Sequence, residues 1–146
     1  MTSNFDLQKL ARRNNLQVLI VTRQDLPYLR DRHRPQNENI IINLDIKGQT
    51  HWCALHVDEK VRKAWYYDSF GLEPPMNIIH YCKDLNLSIN NIRIQSLNSV
   101  MCGQFCIYFL KEIQYHKNEK DIWKYIARKY DKDYLEKNDE IVKKLI

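Results

Sequence analysis

Chain-breaking residues are scarce. Three glycines and four prolines serve 146 residues, too few for long flexible linkers or low-complexity spacers. The expectation is one domain over residues 1–146, built around one core. Long apolar runs are also missing, so no segment reads as a membrane-spanning helix. The first residues, Met1-Thr2-Ser3-Asn4-Phe5-Asp6, lack the basic-then-apolar layout of a secretory signal. A protein that is not secreted is expected. Only four cysteines occur, Cys53, Cys82, Cys102 and Cys106. Without export they are expected as reduced thiols, not as a disulfide framework.

Hydrophobic residues make up 44% of the chain and charged residues 28%, a balance that supports a core and argues against disorder. The net charge of +5 permits contact with polyanions such as DNA. That charge is dispersed, however. The densest group, Arg30-Asp31-Arg32-His33-Arg34, is interrupted by an aspartate, so any DNA contact is expected to be non-specific.

Periodicity predicts an amphipathic helix over residues 4–14, with Phe5, Leu7, Leu10 and Ala11 as its apolar face. Strands are expected over 16–22, 39–45, 50–57, 63–68 and 89–95, with turns at Lys47-Gly48-Gln49 and Asp58-Glu59-Lys60. Residues 23–38, polar and broken by Pro27 and Pro35, read as a loop with room for one helical turn. Helices are expected over 76–85, 102–114, 121–130 and 133–145. The 102–114 segment is apolar on most sides and belongs in the core. The order predicts an α+β fold, a central mixed sheet packed against that buried helix.

The same helix opens on Cys102-Gly103. The thiolate is the nucleophilic form of cysteine, and the unpaired N–H groups of a helix N-terminus favour it. Gly103 would let the backbone come close to a substrate. His51, beside Trp52 at a strand start, is the candidate base. The other histidines have weaker settings: His33 in a polar loop, His80 and His116 on helices, and His56 on the same strand as His51 but facing the other way. Asp68, at the end of the neighbouring strand, is the candidate acid that orients the imidazole. Gln95 is the candidate oxyanion donor together with the Cys102 backbone N–H, ahead of its competitor Gln104. Each residue alone is ordinary, since buried cysteines and turn aspartates are common. The combination carries the reading of a thiol hydrolase, in which Asp68→Asn should cost less than loss of Cys102 or His51.

The combination resembles a known family. His51-Trp52, then Tyr66-Tyr67-Asp68-Ser69-Phe70-Gly71, then Gln95 seven residues ahead of Cys102 with Asn98-Ser99 between, is similar to the adenovirus-type maturation cysteine protease, adenain. So is Cys102-Gly103-Gln104-Phe105-Cys106 followed by Phe109-Leu110. The resemblance covers about residues 39–112. It implies a papain-like or adenain-like fold and an endopeptidase that processes capsid or core precursor polypeptides of a virus or virus-derived element. Carried over, Cys102 is the nucleophile, His51 the base, Asp68 the acid and Gln95 the oxyanion donor. Trp52 would pack on the His51 ring or line the cleft. The family commonly has glutamate where Asp68 stands, so the acid here has a shorter reach. Small residues, glycine above all, are implied next to the cut. DNA is implied as an optional activator, and no cofactor is required. The disulfide-linked peptide activator is not carried over to Cys82, where the match is poor. Location in the virion and host cell interior, and a monomer, complete the expectation.

Three other readings compete. A SUMO- or ubiquitin-like-protein deconjugating isopeptidase of the same clan would use the same residues. A zinc module would use Cys53-x-x-His56 with Cys102-x-x-x-Cys106, although Cys53 and His56 point to opposite faces of a strand. A DNA-binding protein with an incidental thiol would rest on charge alone.

Overall fold

The computed structural model describes the chain apart from Met1, His33 and Lys47. Lys47, first residue of the expected turn, and His33, expected in a polar loop, lie outside the described residues. Helix α1 (Asn4–Arg13) starts at Ser3. The Ser3 hydroxyl accepts from the Asp6 N–H at 3.1 Å, and the Asp6 carboxylate accepts from the Ser3 N–H at 3.1 Å, a reciprocal cap that satisfies two free donors. These bonds hold the Asp6 carboxyl below its ordinary range. Leu7, Leu10 and Ala11 are buried as expected, but Phe5 is 63% exposed. It lies two residues before Leu7, about 200° around the helix, and the Lys9 ammonium covers its ring instead.

Strand β1 (Leu19–Thr22) leads into a 3-10 turn (Arg23–Asp25) and helix α2 (Leu26–Asp31), where the sequence suggests a loop with room for one helical turn. Pro27 does not break this helix because it stands in the first turn, where a missing N–H costs nothing. Then follow β2 (Asn37–Asn43), β3 (Trp52–Asp58), β4 (Lys63–Tyr67), α3 (Met76–Tyr81) and β5 (Asn86–Ile89). The fifth strand therefore ends where it is expected to begin. Asn90 is the reason: its side-chain amide donates to the carbonyls of Asp68 and Ile92, and its Oδ1 accepts from the Ile92 N–H. That local turn competes with the ladder. The chain closes with α4 (Cys102–His116), α5 (Ile122–Ala127), a 3-10 turn (Leu135–Lys137) and α6 (Asn138–Leu145).

The five strands form one mixed sheet in the order β1-β2-β3-β4-β5. The outer pairs are parallel and the inner pairs antiparallel. Strand alternation sorts side chains onto two cores. Trp52 and Ala54 of β3 and Trp65 and Tyr67 of β4 face α4, α1 and the C-terminal helices. Cys53, Leu55, Ala64 and Tyr66 face the opposite layer, with Leu26, Ile78 and Tyr81 of α2 and α3. Helix α4 buries an unbroken run from Phe105 to Leu110, as a central helix must. Tyr67 stacks on its Phe109 at 4.8 Å and 5°. The fold is α+β, with a mixed sheet packed against the helix that begins at Cys102.

Candidate active site

The antiparallel register pairs Ala54 with Tyr67. Extended toward the sheet end, it brings the start of β3 beside the end of β4. His51 and Asp68 sit there, one just before its strand and one just after. The His51 Nε2 and an Asp68 carboxylate oxygen are 2.9 Å apart. The other Asp68 oxygen accepts from the Phe70 N–H at 2.8 Å, and the Asp68 carbonyl accepts from Gly71 N–H and Asn90 Nδ2. Gly71 adopts φ +71, and a Cβ there would press on the Ile92–Arg93 backbone at 3.1 Å, so the tight turn behind the acid requires glycine.

Cys102 is the first residue of α4. Its Sγ accepts from the Trp52 N–H at 3.4 Å, so the N-terminus of α4 is docked onto the strand that follows His51. With Nε2 committed to Asp68, the Nδ1 side of the ring is left for sulfur. Cys102 and His51 line one cleft. Burial would depress the His51 imidazole, but the hydrogen bonds and charges of Asp68 and Cys102 outweigh it and raise the group from 6.5 to about 9. An imidazolium is favoured. Phe70 packs against the ring at 5.3 Å, one of the two places expected for Trp52. The Trp52 indole instead lines the cleft and donates to the Thr2 carbonyl at 3.2 Å.

Gln95 and Ser99 line the same cleft of about 390 Å³, with His51, Trp52 and Cys102. Its rim carries exposed Leu72, Leu97 and Val100. The structure therefore brings His51, Trp52, Asp68, Gln95 and Cys102 together. Gln104 points elsewhere, to the Thr2 hydroxyl. Gly103 corrects its expected role: its bare Cα faces Leu7 of α1, where an added Cβ would lie 2.6 Å from a Leu7 methyl. The sequence reading missed Phe70, Ser69, Asn90 and Ser99 as neighbours of the site. Phe70, Ser69 and Ser99 lie inside the quoted motifs, and that position was the available signal.

His56 lies on the α4 face at the far end of β3 from the cleft, bonded to Asn39 and Lys117. Cys53 points into the other core, so the zinc reading loses its paired ligands. Among the described residues no cluster of three or more His, Cys, Asp or Glu suits a metal ion. All four cysteines are free and buried. Among the described residues no helix is long and apolar enough to cross a membrane.

A buried helix that begins with cysteine, docked on a sheet end that carries histidine and aspartate, is the architecture of the papain-like cysteine proteases. Residues 37–145 match the Ulp1 protease family, C-terminal catalytic domain, and the chain belongs to that family of cysteine proteases. The fold is similar to the ASFV pS273R protease, with TM-score 0.64, 16% identity, 99% of this chain and 66% of that chain covered. It is also similar to the Chlamydia trachomatis effector protein ChlaDUB1, with TM-score 0.53, 17% identity, 95% of this chain and 66% of that chain covered. The chain thus spans slightly less than two thirds of each solved relative. No curated protein sequence shows significant similarity to it.

Proposed function

We propose that this chain is an endopeptidase that processes precursor polypeptides, as in virus maturation, through Cys102, His51 and Asp68. The observation that carries the reading is the hydrogen bond between the Asp68 carboxylate and the His51 ring, at the one cleft that His51 lines together with Cys102. The thiolate attacks the scissile carbonyl, and the oxygen takes the displaced electron pair. Gln95 and the Cys102 N–H hold that oxyanion. Collapse expels the amine, which takes its proton from the His51 imidazolium and leaves a thioester. His51 then takes a proton from water as it attacks, and the thiolate leaves. Trp52 lines the substrate path. The motif spacing from Gln95 to Cys102 favours precursor processing, and likeness in fold to the ASFV pS273R protease over 99% of the chain is in keeping with a protease. Capsid or core polypeptides as substrates and a virion or host-interior location belong to the same proposal.

The family match favours a second reading, release of a ubiquitin-like modifier. One assay separates the two. The purified chain, with and without DNA, is incubated with capsid or core precursors encoded beside it and with modifier–amidomethylcoumarin probes. New termini in the precursors support processing, and probe cleavage alone supports deconjugation. Cys102→Ala and His51→Ala should abolish either activity with the fold intact. Cleavage that persists in Cys102→Ala would remove the thiol from the mechanism. DNA is an arm of the test because the arginine group offers little free charge: Arg30, Arg32 and Arg34 pair with Asp84, Glu38 and Glu59.

A further inference from the structure

The Gln95 side chain can serve an oxyanion only if its nitrogen end, not its oxygen end, lies at the cleft. A primary amide has nearly the same shape either way round, so its hydrogen-bond partners must decide. Its Oε1 accepts from the Ser69 hydroxyl at 2.5 Å, and its Nε2 lies 3.1 Å from the Ser99 carbonyl and 3.0 Å from the Ser99 hydroxyl oxygen. Ser69 is fully buried, whereas Ser99 lines the cleft. The Ser99 carbonyl only accepts, so it already requires the nitrogen end of Gln95 there, and the two serine hydroxyls, which both donate and accept, must fit in with that direction.

Asp139 reinforces it. The Ser99 hydroxyl donates to an Asp139 carboxylate oxygen at 2.6 Å. A carboxylate only accepts, so the single Ser99 proton is committed. The Ser99 oxygen must then accept from its other two neighbours, the Gln95 amide and the Met101 N–H at 3.2 Å. Gln95 is forced to present nitrogen at the cleft end and oxygen to Ser69. The same serine braces Met101, the residue before the nucleophile.

The carboxylate is itself held in place. Its neighbour Asn138 is fully buried at the start of α6, donates to the Ile94 carbonyl at 2.8 Å and accepts from the Asp131 N–H at 2.7 Å. Helix α6 is thus pinned to the residue just before Gln95. We infer that Asp139 is a positioning residue that acts through Ser99 to fix the Gln95 amide with its N–H end at the cleft, a role for the C-terminal helix that deepens, and rests on, the endopeptidase reading.

The experiment has two arms, so that failure of each claim is separately visible. In the first, the side-chain amide of Gln95 is followed by ¹⁵N NMR in the whole chain, which needs no activity. Asp139→Ala should speed its exchange at least about tenfold, as should Ser99→Ala, while Asp139→Glu keeps an obligate acceptor and holds it near wild type. Unchanged exchange in a folded Asp139→Ala protein would overturn the inference whether or not the chain cleaves anything. In the second arm, on a substrate cleaved by the wild type, Asp139→Ala should lower kcat about tenfold with KM within about twofold, less than outright loss of an oxyanion donor. In a Gln95→Ala background it should cost nothing more, and an undiminished further loss there would show that Asp139 acts by another route. Alkylation of Cys102 by iodoacetamide requires no oxyanion donor and should be unaffected in Asp139→Ala. Reduced alkylation would mean that α6 supports the thiol itself.

Discussion

At the scale of single residues, Asp68 is the most constrained group of the site, because both of its oxygens have fixed partners. One accepts from the Phe70 backbone, which offers only a donor, and the other faces His51. An asparagine there keeps its oxygen on Phe70 and turns its NH₂ toward the imidazole. The ring must then accept at Nε2 and carry its proton at Nδ1, against the sulfur. That is the wrong tautomer for a base. Geometry gives the smaller loss expected of this variant a size: Asp68→Asn should lower kcat/KM on the order of a thousandfold, with Asp68→Ala milder because it imposes no tautomer. The alkaline limb of the rate profile, which the imidazolium sets near 9, should move to lower pH in both variants. Equal losses in the two variants would show that charge, not tautomer, is what Asp68 supplies.

At the scale of elements, α1 and α4 meet where Gly103 has no side chain. Leu7 is fully buried, so it has little room to yield to the methyl of Gly103→Ala. Alanine gains up to about 1 kcal/mol of helix propensity over glycine, but overpacking costs about 1–3 kcal/mol, and the clash should win. A lower urea midpoint is expected, and the penalty should disappear in a Leu7→Ala background. A penalty that persists there would place the strain elsewhere. How far such features are legible in sequence varies for physical reasons. Helix α4 is plain because its apolar run has no polar face to confuse the period. His51, Asp68, Gln95 and Cys102 are legible because each lies within a short motif. Helix α2 is hidden because Pro27 reads as a breaker until its first-turn position is known. Strand β5 is misplaced because Asn90, a surface-type residue by sequence, ends the ladder. The Ser99–Asp139 bond joins residues 40 apart, and no local pattern signals it.

At the scale of the whole molecule, the two ends of β3 carry histidines with opposite electrostatics. At the cleft end, His51 is raised to about 9. Its contribution to stability is complete below the ordinary 6.5 and is lost as pH rises through about 9. At the far end, burial first and the Lys117 ammonium second lower His56 to about 4, against the opposing pull of Asp58. Its Nδ1 donates to Asn39, and its Nε2 accepts from Lys117, which also bonds Asp58; Gln114 of α4 joins through Asn39. A proton on Nε2 would set two cations face to face. This contribution is complete above 6.5 and is lost as pH falls through about 4, on the order of 3 kcal/mol. Stability should therefore peak near pH 6–7 and decline on both sides. Urea midpoints across pH 4–10 test it with two variants: His56→Gln should flatten the slope between 6.5 and 4, and His51→Ala the slope between 6.5 and 9, each leaving the opposite side intact. An acid slope unchanged by His56→Gln would show that carboxylates alone set it and that the far end of the sheet does not respond to protonation of His56.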